Sequence, residues 1–381
     1  MYVERPQLTA AWGDLALFGE PTLQWRSATI FADTARPLPV SPDSLAGVLI
    51  GSDGTAHLVR RPPHARRFLA PRVAFDGRML HVVWGESSDT SARSGLYVSE
   101  LWYARFDGRR WSAPELVIRA SDIYWNGSGG SMSLWSGEPQ IAVPANGSAS
   151  GQDHVGVVYL RRDSTNWRIS WIPTHGPLPS DVTVGALNDS AIVVSFLGGV
   201  LASGRPSVMN AIWSTRSVTG GATWSEPTVV SDLGRDRGYD LELVRTPVDL
   251  ELFWLLAKPT ETGGTVIARR RSYDSGQSWQ QAGATVTDAT VEGLRLVSRF
   301  STVLAVGRKS DTDSLISITW PNSLPPVAAT LPYEPARSLP GVAVVGDSLA
   351  LVWGVDRMHA YPLFPSLPVP ALLISWGSTK C

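Results

Sequence analysis

Short apolar runs recur along this chain in pairs, each pair split by a few turn-forming residues. The clearest pair is 71–75 and 79–84, either side of Asp76-Gly77. Similar pairs are 140–143 with 154–160, 182–187 with 191–196, 241–244 with 250–256, 294–297 with 303–306, and 342–345 with 349–353. Each run is rich in Val, Ile, Leu or aromatic residues and bounded by Gly, Asn, Asp or Pro, the pattern of strands joined by tight turns. A second pair follows several of them: 101–106 with 111–117, 211–216 with 224–230, and 267–273 with 279–286. Four strands per unit is the pattern of a propeller blade. No long amphipathic helix is visible.

One turn stands out. Ser272-Tyr273-Asp274-Ser275-Gly276-Gln277-Ser278-Trp279 joins two strands. A short Asp side chain can accept backbone N–H groups in such a turn, and Gly276 permits a positive φ. Trp279 then opens the next strand with a large ring to bury. Ser217 to Trp224 repeats the pattern with Thr219 in the Asp position, and Arg105 to Trp111 is a shorter version around Asp107-Gly108. Trp224 and Trp279 are 55 residues apart, and Trp111 and Trp224 are 113 apart, close to two such steps. A period of this size indicates a solenoid, propeller or array. A set of β-sandwiches would also give short strands, but not a turn-plus-Trp signature at a fixed period.

These Ser-x-Asp-x-Gly-x-Ser/Thr-Trp turns resemble the Asp-box of the sialidase-like β-propeller family. The resemblance implies an all-β fold, a single propeller domain over residues 1–381 built of four-stranded antiparallel blades. Six units are readable from about Arg66 onward. The earlier residues are less regular, but 45–50 and 56–59 around Asp53-Gly54 form a further hairpin. It supplies either a seventh blade or closing strands for the last one. Counting favours seven blades and the resemblance favours six. Residues 369–376 can complete the final blade unaided, which tips the count to seven.

Composition narrows the function classes. The formal net charge is −1, so the whole chain makes no case for nucleic-acid binding. No stretch is long and apolar enough to read as a membrane span. The single cysteine, Cys381, excludes an internal disulfide framework and a cysteine zinc cluster. No secretory signal is visible at the start, so the expected location is cytoplasmic, or secreted if a signal has been trimmed. No cofactor or metal is expected: the six histidines are scattered, and His81, in an apolar strand, reads as a core residue. Asp311 and Asp313 read as a solvated turn rather than a calcium loop.

The boxes read as structural turns. In a four-stranded blade the loops between strands one–two and three–four share one end. The resemblance places the ligand site on the other end, at the channel mouth. Long or polar segments expected there are 86–95, 120–137, 198–207, 233–240, 258–265 and 309–314. A sialidase-like site pairs arginines with a substrate carboxylate, uses a Tyr activated by a Glu as nucleophile, and an Asp as general acid/base. The candidates are Tyr239, Asp89 and Glu242 for catalysis. For substrate binding they are Arg67, Arg93, Arg205 and Arg237, with Tyr124, Trp125 and Trp135 as stacking aromatics. The family's Phe/Tyr-Arg-Ile-Pro motif is absent, so the resemblance covers the repeat architecture and not an active-site motif. The expected partner is a glycan or other small molecule. Three functions stay open: a sialidase-like glycoside hydrolase, a non-catalytic glycan- or protein-binding propeller, and a propeller enzyme of biosynthetic or lyase chemistry.

Overall fold

The computed structural model describes residues 7–11, 14–18, 29–30, 45–50, 56–65, 69–87, 97–125, 130–149, 152–163, 166–174, 179–198, 201–202, 205–206, 211–234, 236–246, 249–257, 265–281, 291–299, 302–309, 314–320, 327–330, 341–345, 348–357 and 369–378. Among these residues every regular element is a strand. Unit one is built of β1 (Gln7–Ala11), β2 (Asp14–Phe18), β4 (Leu45–Ile50) and β5 (Ala56–Arg60); β3 (Thr29–Ile30) leaves it. Unit two is β6 (Leu69–Phe75), β7 (Leu80–Glu86), β8 (Tyr97–Phe106) and β9 (Glu115–Tyr124). Unit three is β10 (Ser131–Trp135), β11 (Glu138–Ala149), β12 (Gln152–Asp163) and β13 (Asn166–Pro173). Unit four is β14 (Val182–Ala186), β15 (Ile192–Gly198), β18 (Ala211–Ser217) and β19 (Thr228–Asp232), with a small hairpin of β16 (Leu201–Ala202) and β17 (Arg205–Pro206) between its middle strands.

Unit five is β20 (Arg237–Arg245), β21 (Leu250–Ala257), β22 (Thr265–Ser272) and β23 (Gln280–Gln281). Unit six is β24 (Val291–Arg299), β25 (Thr302–Lys309), β26 (Leu315–Trp320) and β27 (Val327–Thr330). The last sheet is β28 (Gly341–Val345), β29 (Ser348–Arg357) and β30 (Val369–Ser378), and β3 joins its outer edge in parallel. The hairpin of β4 and β5 thus belongs to a sheet of its own, while β3 supplies the fourth strand of the last sheet, which residues 369–376 were expected to complete unaided. The first strand of each unit lies against the first strand of the next, and β28 lies against β1.

The apolar cores lie between units, not within them. Val59 of unit one packs with Leu80, Val82, Trp84 and Ala104 of unit two. Tyr103 and Val117 of unit two pack with Val143 and Leu160 of unit three. The second strands β7 and β15 are buried along their whole length. Both faces of a second strand are covered by neighbouring sheets, so the run is continuously apolar instead of alternating.

Two expectations need correction. The segment 120–137 is not one loop: β9 runs through Tyr124, and Ser131–Trp135 is a strand. The pair 140–143 with 154–160 therefore supplies the second and third strands of its unit, not the first two. The alternation of Ser with Met and Leu in SMSLW spans only four residues after a run of glycines, too short to stand out as a strand.

Candidate functional site

The sheets have two distinct ends. At one end sit the boxes. Asp274 accepts the Ser278 backbone N–H at 2.8 Å and hydroxyls from Ser278 and Ser272 at 2.5 and 2.8 Å, while Ser272 Oγ accepts the Gly276 N–H at 2.7 Å. Burial pushes this carboxyl up, but those hydrogen bonds outweigh it and hold it below the usual range. Thr219 takes over the Asp role, accepting the Thr223 N–H at 2.9 Å. Asp107 and Asp76 each accept two backbone N–H groups in simpler turns. These hydrogen bonds satisfy the turn backbone and its neighbouring hydroxyls, a structural role.

The opposite end is irregular in a repeated way. β6, β20 and β24 each carry a bulge near their start, between Leu69 and Arg72, Tyr239 and Glu242, and Glu292 and Arg295. A bulge leaves backbone groups unpaired and re-aims the following side chain. In β20 the neighbouring unit takes up the loose ends. Asp240 N–H donates to Asp181 Oδ2 at 2.8 Å, and Leu243 N–H to Thr183 Oγ1 at 3.1 Å. Asp240 has φ +56°, a left-handed conformation that Asp tolerates better than most residues.

The bulges set Arg72, Glu242 and Arg295 at equivalent positions, each the first residue paired after the irregularity. Arg295 Nη1 lies 3.3 Å from Glu242 Oε1, joining units five and six. Tyr239 donates its hydroxyl to the Val291 carbonyl at 3.3 Å, a second link between the same units. Carboxylate, phenol and guanidinium are thus held on the first strands of adjacent units, at the end away from the boxes. Arg72 serves a different purpose. Its guanidinium donates to the carbonyls of Gly130 at 3.2 Å and Trp125 at 3.3 Å, and stands over the Trp125 ring.

Of the expected set, Tyr239 and Glu242 both lie on β20 and each reaches β24, through Val291 and Arg295 respectively. Arg237 opens the same strand and Arg205 lies in β17, both with side chains outside the described residues; Asp89, Arg67 and Arg93 lie outside them altogether. Tyr124 ends β9, half-buried. Two aromatics are misplaced by the sequence reading. Trp125 is fully buried in the core between units two and three, so its ring offers no platform. Trp135 lies at the box end, where its indole N–H donates to Asp189 at 2.7 Å and Arg245 covers its ring. Arg295 and Asp181 were not anticipated. Their signal is the repeat itself: Arg295 follows Glu242 by 53 residues, close to one unit. Among the described residues no group of three or more His, Cys, Asp or Glu could hold a metal ion, and no helix is long and apolar enough to cross a membrane.

Solved structures are similar to this chain in fold. The crystal structure of polysaccharide lyase Uly1 covers 99% of this chain and 90% of its own, at 9% identity and a TM-score of 0.60. A PL25 ulvan lyase covers 99% and 92%, at 10% identity and a TM-score of 0.56. A Trypanosoma rangeli sialidase in complex with sialic acid covers 93% and 60%, at 12% identity and a TM-score of 0.48. No protein-family model and no curated protein matches the chain. At these identities the likeness to the lyases is one of fold, a β-propeller.

Proposed function

We propose that this chain is a seven-bladed propeller enzyme acting on an anionic polysaccharide, with its site at the end opposite the boxes. The observation that carries the reading is the Glu242–Arg295 pair on bulged first strands of adjacent units, with Tyr239 on the same strand as Glu242. A carboxylate that can move a proton, a phenol, and a guanidinium suited to a sugar carboxylate or sulfate are what cleavage of an acidic glycan requires. The fold likeness to polysaccharide lyases over nearly the whole chain supports the same substrate class. In this reading Arg295 passes from Glu242 to the substrate anion, and Glu242 is then free to exchange a proton.

The test is a panel of acidic and neutral polysaccharides, read both for new reducing ends and for the ultraviolet absorbance of unsaturated ends. Reducing ends alone mean hydrolysis; both together mean elimination. Glu242→Gln and Arg295→Ala should each lower turnover on the cleaved polymer by at least about 100-fold while the fold persists. Absence of cleavage across the panel, or full activity in both variants, would sink the proposal.

A further inference from the structure

At the site end of unit three, the middle strands outrun their neighbours. The first strand stops pairing at Ser131 with Ala142, and the fourth at Pro173 with Gly156. The β11–β12 ladder continues past both to Ala149 with Gln152. At the base of this ribbon, β9 of unit two crosses over and pairs with β11, Ile123 with Ala145 and Asp122 with Asn146. Among the described residues this is the one place where two four-stranded units are stitched into a single sheet.

Register assigns side chains to faces. Residues directly opposite across an antiparallel ladder share a face, and residues two apart on one strand do as well. Ile123, Ala145 and Gly156 form one row, all buried. Asp122, Asn146 and Val155 form the next row, on the other face, and Tyr124 joins them two residues after Asp122. On that face Val155 is 48% exposed, and Tyr124 and Asn146 are half-buried. The base is firmly held: Trp125, next in the chain, is fully buried, Gly130 packs so closely on its ring that an added Cβ would lie 2.4 Å from it, and Arg72 grips the carbonyls on both.

We infer that the face carrying Tyr124, Asn146 and Val155 is a subsite for a sugar residue of the polysaccharide chain, held through its ring face and hydroxyls. An aromatic ring and a valine suit the apolar face of a pyranose, and an amide both donates to and accepts from hydroxyls. These contacts read a ring face and hydroxyls, and the charged group of the polymer is left to Arg295. The ribbon rises from the end that carries Glu242 and Arg295, so the subsite rests on the reading of that end as the site and extends it along the chain.

The test is a split between long and short substrates. Tyr124→Ala and, separately, Asn146→Ala should raise KM on the long polymer about tenfold, the loss of one stacked or hydrogen-bonded sugar. Their kcat, their KM on the shortest oligosaccharide still cleaved, and their melting temperatures should match the parent, and Tyr124→Phe should restore KM. An unchanged KM on the polymer in both alanine variants, or an equal loss on long and short substrates, would overturn the subsite while leaving the active site standing. If the parent cleaves no polysaccharide, the catalytic reading fails on its own. Affinity electrophoresis in the same polymers then decides the subsite. Retardation of the parent but not of Tyr124→Ala supports it; equal retardation, or none, rejects it.

Discussion

Trp224 meets Tyr159 edge to face across two neighbouring units, with ring centroids 5.0 Å apart and its indole N–H donated to Ser170. One unit earlier, Trp167 meets Tyr103 in the same way at 5.3 Å. Trp111 donates its N–H to the Arg60 carbonyl of the unit before it, and Trp279 packs on the core that units four and five share. Each tryptophan lies within a few residues of the start of the outer strand of its unit and packs toward the preceding unit. The four are therefore one structural device repeated, the seal between successive sheets.

Trp224→Ala should accordingly destabilise the fold by about 2–4 kcal/mol, somewhat under the loss of a fully buried Trp because the ring is half-buried. Urea denaturation measures this. A change below about 0.5 kcal/mol would mean the ring merely rests on the surface.

Much of this seal was legible in the sequence, and the gap in it is instructive. Trp111 and Trp224 are two steps apart, and Trp167 fills the missing step, 56 residues after the first and 57 before the second. It went unread because the link from Asp163 to Asn166 carries no Ser-x-Asp-x-Gly pattern. The ring position is kept where the turn chemistry is not. The site was harder to read. Glu242 and Arg295 meet only because bulges in two strands set them at one level, and local sequence does not reveal a bulge. Trp125, flanked by Tyr124 and Asn126, looked like an exposed aromatic in a polar loop. Its burial depends on Gly130 and on Gly85, 40 residues before the tryptophan in the chain, leaving room for the ring.

Asp274→Ala should cost stability, about 1–2 kcal/mol from the lost hydrogen bonds, and leave polysaccharide turnover of the folded protein unchanged. Its pKa is depressed in the folded state, so its contribution is complete above the unfolded value of about 3.9 and is lost as pH falls through the folded value. Parent and Asp274→Asn should therefore converge in melting temperature below about pH 4. Turnover lost at unchanged stability would place the site at the box end instead.

His81 gives a second pH dependence. It is buried, with Nδ1 2.8 Å from the Tyr103 hydroxyl and Nε2 3.0 Å from Asp76 Oδ2. Burial lowers its pKa, and the bond to Asp76 only partly opposes this. A histidine held neutral in the fold binds more protons when unfolded. Stability is then complete above about pH 6.5 and declines as pH falls from there toward the folded pKa. Gln140 holds the corresponding place in unit three, accepting the Tyr159 hydroxyl at 3.0 Å. His81→Gln should thus fold and lose less melting temperature than the parent between pH 7.5 and 5.5, a range chosen as about one unit either side of the free histidine pKa. Equal losses in the two proteins would show that His81 does not titrate across this range.

Asp240 separates backbone geometry from side-chain chemistry. It sits at φ +56° in the β20 bulge, and the register places Gly293 at the same position of the β24 bulge. Glycine adopts this conformation without a steric cost, whereas alanine pays about 1–2 kcal/mol there. Asp240→Gly should therefore be more stable than Asp240→Ala by about 1 kcal/mol, although it removes more of the side chain. The bulge persists in the glycine variant, because the Asp240 N–H that Asp181 accepts belongs to the backbone. With the bulge intact, Glu242 and Arg295 keep their level, and turnover of the glycine variant should stay within about threefold of the parent, a shift of less than 1 kcal/mol in the barrier. A much larger loss in a stable Asp240→Gly protein would move the carboxylate itself from the frame of the site into its chemistry.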